Sequence, residues 1–136
     1  MVQVGMDKAQ SPRPKRRITA EFYRTDSGNE PVREWLKGLS KDERQAIAKD
    51  IRKAEYGWPL GMPTCDALGG GLWEVRTNLE NRIGRVFFCM AGPRMVLLHG
   101  MIKKTQKASA IDLNAARERK RNLEDRLRQP DVGKRT

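Results

Sequence analysis

The stretch Leu72–Lys107, LWEVRTNLENRIGRVFFCMAGPRMVLLHGMIKKTQK, decides how this chain folds. Leu72–Thr77 alternates, with Trp73 and Val75 on one face and Glu74 and Arg76 on the other. Asn78–Asn81 has turn chemistry, Arg82–Met90 reads as the next strand, and Ala91-Gly92-Pro93 turns the chain again. Met95–Ile102 is nearly continuously apolar, the pattern of a central strand covered on both faces. The result is a three-stranded meander with basic residues at its ends and turns. From Arg76 to Lys104 six cations (Arg76, Arg82, Arg85, Arg94, Lys103, Lys104) stand against one acid, Glu80. Cations on a small sheet without matching carboxylates suit a polyanion, with RNA or DNA the first candidate.

Upstream, Arg17–Tyr23 (RITAEFY) alternates as a first strand, with Ile18, Ala20 and Phe22 on one face. Asn29-Glu30-Pro31 opens a helix whose apolar stripe is Val32, Trp35, Leu36 and Leu39. Ser40 with Glu43 forms a capping box for a second helix, striped by Ile47, Ile51 and Ala54. These two helices make an αα-hairpin that packs on the sheet as scaffold. Gly57–Gly71, with its prolines and three consecutive glycines, reads as a loop, and no GK[ST] follows to make it a phosphate cradle. Downstream, Ala108–Leu127 is helical, with a thin apolar stripe (Ile111, Ala115, Ala116, Leu123, Leu127) and a strongly basic far half.

The order β-α-α-β-β-β-α predicts an α+β fold: a mixed, mostly antiparallel four-stranded sheet, helices on one side, the other face partly open. At 136 residues the chain holds one domain, expected over 17–128, between polar basic tails at 1–16 and 129–136. The net charge of +11 is concentrated in residues 76–136, which carry +9, against −2 for residues 18–75. The two cysteines, Cys65 and Cys89, stand alone, which excludes a zinc ribbon or disulfide scaffold and suits a reducing cytoplasm. Cys89, inside an apolar run, reads as a core residue. No run reaches membrane-spanning length and no signal-type apolar segment opens the chain, so a cytoplasmic protein is expected. No metal or other cofactor is called for.

Four phrases in order, FYRTDSGNEPVREWLKGLS, LWEVR, RIGRVFF and VLLHGMIKKTQKAS, with the closing AIDLNAARERKRNLED, resemble the RelE/ParE toxin superfamily and within it the phage-associated HigB-like branch. The resemblance covers about Arg17–Leu127. It implies the toxin of a two-gene module, neutralised by a helix-turn-helix antitoxin. RelE- and HigB-like members cleave mRNA on the ribosome, without a metal; ParE-like members instead poison DNA gyrase on a similar fold, so fold alone does not choose between them. A non-catalytic nucleic-acid-binding phage protein is the third reading. The basic sheet face and last helix favour the ribosome and its mRNA.

Metal-free RNA cleavage needs a base for the 2′-hydroxyl, cations for the phosphate and an acid for the leaving 5′-oxygen. By resemblance, Arg85 in RIGRVFF matches the phosphate-contacting arginine, and Arg76, Lys103 and Lys104 match further basic catalytic positions. Arg85→Ala is then expected to remove activity with little loss of stability. Arg82, Lys107, Arg117 and Lys120 are expected to contact RNA. His99, the one histidine, sits in VLLHGM and reads first as a satisfied core imidazole and second as a proton-transfer group. Glu74 is either a base or the partner of a neighbouring arginine. The closing segment lacks the tyrosine or histidine that many RelE-like enzymes place there, leaving the acid and base unassigned.

Overall fold

A computed structural model describes residues 15–59, 61, 64–103 and 109–129. In chain order the elements are β1 (Thr19–Phe22), α1 (Pro31–Lys37), α2 (Lys41–Gly57), β2 (Cys65–Gly69), β3 (Leu72–Leu79), β4 (Arg82–Ala91), β5 (Arg94–Lys103) and α3 (Ala110–Arg128). The meander forms as its alternation dictates, with Glu74 opposite Phe87 and Arg85 opposite both Arg76 and Met101. β1 runs parallel to β5, Thr19 opposite Arg94. Most of both expected tails, together with Lys104 and Lys107, lies outside the described residues.

The sheet has five strands, ordered β1-β5-β4-β3-β2, rather than the expected four. The additional strand, β2, lies in the segment read as a loop and pairs antiparallel with β3, bulging between Ala67 and Gly69. The three glycines are the reason this hairpin closes. Gly69, Gly70 and Gly71 all have positive φ (92°, 63° and 82°), a region that side chains with a Cβ avoid. The run that punctuates the sequence is thus the turn between two strands.

Both faces of the sheet are covered, another departure from the expected half-open arrangement. On one face Val32, Ile47, Ile51 and Ala54 of the helical hairpin pack against Val75, Val86, Phe88, Met95 and Leu97. The capping box of Ser40 and Glu43 starts α2 as expected. Gly100 lets α1 seat closely, since a Cβ there would lie 2.3 Å from the ring of Trp35. On the other face Leu72, Phe87, Val96, Leu98 and Met101 meet Ala116, with Leu113 and Leu123 of α3 partly buried against them. Burying each large apolar side chain contributes about 1.5–3 kcal/mol.

The apolar stripe of α3 is thin, and hydrogen bonds supplement it. The Tyr23 hydroxyl donates to Asn122 Oδ1 at 2.7 Å, and Arg126 donates to the Arg24 carbonyl at 2.6 Å while its guanidinium lies 5.2 Å from the Tyr23 ring centroid. No helix among the described residues is long and apolar enough to cross a membrane.

Candidate functional site

The docking of α3 carries polar groups onto the edge of the β3–β5 face. Ser109 is the N-cap: its Oγ accepts from the Asp112 backbone N–H at 3.2 Å, and its hydroxyl donates to Asp112 Oδ2. Asp112, in the first helical turn, therefore has a fixed carboxylate. Its Oδ1 lies 2.7 Å from His99 Nε2, and its Oδ2 lies 3.2 Å from Lys103 Nζ. Arg119 is seven residues further on, two helical turns, and so shares the face of Asp112. Its guanidinium donates to the Leu98 carbonyl at 2.8 Å and meets His99 Nδ1 at 3.1 Å.

A guanidinium only donates, so Nδ1 accepts, and Nε2 carries the proton it gives to Asp112. The imidazole is held in one tautomer, stacked on Phe87 with ring centroids 6.0 Å apart. Its side chain is 20% exposed, so the ring stands at a rim that solvent reaches rather than in the buried core the strand pattern suggested. Burial alone would push the Asp112 carboxyl up. Hydrogen bonds from Ser109, His99 and Lys103 outweigh it and hold the group at about 2.

Beyond Met101 on the same face lies a second charged group. Glu74, buried in β3, accepts from Arg85 at 2.6 Å, with Arg76 Nε 3.6 Å from the same oxygen. Burial raises the Glu74 carboxyl above its ordinary value, and Arg85 and Arg76 pull it back down. Arg85 itself is 2% exposed. In this conformation it is a buried partner of Glu74, not a cation on the surface, and a phosphate reaches it only if that pair opens. Glu74 is the ion-pair partner that its spacing allowed. Arg76 and Lys103 are partly exposed.

The other expected contacts are scattered. Arg82 pairs with Glu43 of α2, on the side of the helical hairpin. Arg117 donates to the carbonyls of Leu68 and Gly69, pinning α3 to the β2 hairpin. Lys120 pairs with Glu124 at 2.5 Å and lies over Gly71. Asp112 and Arg119 are the site residues that sequence reasoning missed. The available signal was Ser109 three residues before Asp112, a capping spacing that fixes the carboxylate at the helix start.

A family model described as "Phage derived protein Gp49-like (DUF891)" matches residues 34–121, a span that includes His99, Asp112 and Arg119. A search of curated proteins returns no match.

Proposed function

This chain belongs to the Gp49-like family of phage-derived proteins, within the RelE/ParE-like toxin superfamily, and from that premise we propose that it is an antitoxin-controlled toxin that cuts mRNA on the ribosome. The observation that carries this reading is the imidazole of His99, clamped between Asp112 and Arg119 on the face that also presents Lys103 and Arg76. Within the superfamily, proton-transfer groups beside cations favour the RNA-cleaving, HigB-like side over gyrase poisoning.

The chemistry assigned to these residues is as follows. Arg119 turns from Nδ1 to the scissile phosphate, and the freed Nδ1 takes the proton of the 2′-hydroxyl. The 2′-oxygen bonds to phosphorus and the bond to the 5′-oxygen breaks, leaving a 2′,3′-cyclic phosphate and a 5′-hydroxyl end. Asp112 holds the tautomer and stabilises the imidazolium that forms, the part a carboxylate plays behind a catalytic histidine. Arg119 and Arg76 offset the charge that develops on the phosphate. Lys103, beside Asp112, supplies the proton to the leaving oxygen. The partners on this reading are the ribosome with its mRNA and a cognate helix-turn-helix antitoxin.

Induction in growing cells tests it. New mRNA 5′-hydroxyl ends that require ongoing translation are the expected result. Intact mRNA with gyrase-dependent DNA breaks would overturn the reading in favour of a ParE-like target.

A further inference from the structure

We infer that the cavity beside Arg119 receives a guanine of the RNA next to the cleaved bond, read by Glu118; this rests on the RNA-cleavage reading above. The cavity holds about 480 Å³ between the turn after β1 (Asp26, Ser27) and α3 (Ala115, Glu118, Arg119, Asn122). That volume lies in the range of small-ligand sites and fits one nucleoside, not a duplex. Ala115, one turn after Asp112, keeps the cavity open because its side chain is short. Arg119 is the shared wall, since the same side chain touches His99 Nδ1. Glu118 lies six residues along α3 from Asp112, about 9 Å by helical rise, so the cavity adjoins the imidazole without overlapping it.

The polarity of the walls selects the ligand. Asp26 is engaged by Arg126 at 3.1 Å, and Asn122 Oδ1 accepts from both Tyr23 and Arg126 at 2.7 Å. Glu118 forms no ion pair or hydrogen bond among the described residues. A carboxylate without a partner repels phosphate and accepts from N–H groups. Guanine presents two adjacent donors, N1–H and the N2 amino group, to such an acceptor. Adenine and cytosine present one amino group beside a ring nitrogen that the carboxylate repels. The Asn122 amide, its oxygen already held, keeps its NH₂ group for the guanine O6. Single-stranded bases are read in this way, splayed out and bonded along the Watson–Crick edge.

Mapping the mRNA 5′ ends produced by the wild type and by Glu118→Gln tests the inference. Cuts by the wild type should be enriched for guanine beside the broken bond, and the enrichment should fall about tenfold in the variant, as for a lost bidentate base contact. Cutting with no guanine enrichment, or with enrichment unchanged by Glu118→Gln, overturns the base-reading role and leaves the cleavage reading standing. A folded variant that cuts nowhere also overturns it, because Glu118 then serves the chemistry rather than the choice of base. Intact mRNA with the wild type defeats both readings. Independent of any variant, guanosine monophosphate should inhibit wild-type cleavage at about tenfold lower concentration than adenosine monophosphate. Equal inhibition contradicts the assignment.

Discussion

His99 Nε2 stands 2.7 Å from Asp112 Oδ1, and this contact joins β5 to the first turn of α3. The arrangement that orients the imidazole therefore exists only while the last helix is docked. Ser109 caps that helix and fixes the carboxylate with one hydroxyl, so helix start and site geometry depend on the same group.

The depressed Asp112 carboxyl makes this docking dependent on pH. Its folded value of about 2 lies below the ordinary 3.8, so the ionised form stabilises the fold. That contribution is complete above about pH 5 and is lost as the pH falls through about 2. Denaturant midpoints of the wild type and Asp112→Asn should differ by a constant amount from pH 7 to pH 5. The difference should shrink below about pH 4 and vanish near pH 2. A difference that does not change with pH would contradict the assignment.

Arg85→Ala should destabilise the protein rather than act silently on activity. The guanidinium is buried against Glu74, and removing one member of a buried pair leaves the other uncompensated, at a cost of about 3–5 kcal/mol. Adding Glu74→Gln to the same variant should recover part of that loss, because the stranded charge is gone. Chemical denaturation of the three variants provides the check, and a wild-type midpoint for Arg85→Ala would refute the structural role. Loss of toxicity in Arg85→Ala is thus not evidence for a phosphate contact unless the protein is folded.

Both cysteines should be inert in the folded protein. Cys65 and Cys89 are buried, and burial pushes each thiol up to about 11, so little thiolate exists near neutral pH. A maleimide at pH 7 should label neither residue until denaturant is added. Rapid labelling of the native protein would show that one of them is reachable.

The sequence made the helical hairpin, the meander and the last helix legible because each has a strong local signal: the Ser40–Glu43 box, the alternation of Leu72–Thr77, the apolar run through Met95. It hid β2, whose five residues carry no alternating apolar pattern and abut glycines that read as loop. The basic positions at strand ends were visible, but the burial of Arg85 was not. That burial depends on Glu74 lying on the same face and on α3 covering it. The proton-transfer group was hidden for a similar reason. His99 looked like core because its strand is apolar, and its partners come from a helix whose docking direction follows from packing, not local pattern.

The central claim is that His99, oriented by Asp112, moves the proton in mRNA cleavage. The most direct measurement is the single-turnover cleavage rate of ribosome-bound mRNA by the wild type and His99→Gln, with melting curves recorded on the same preparations. The expected result is a rate loss of about 100-fold or more in a variant that remains folded, as for a missing general acid or base. Equal rates in two folded proteins would contradict the claim and return His99 to a purely structural role.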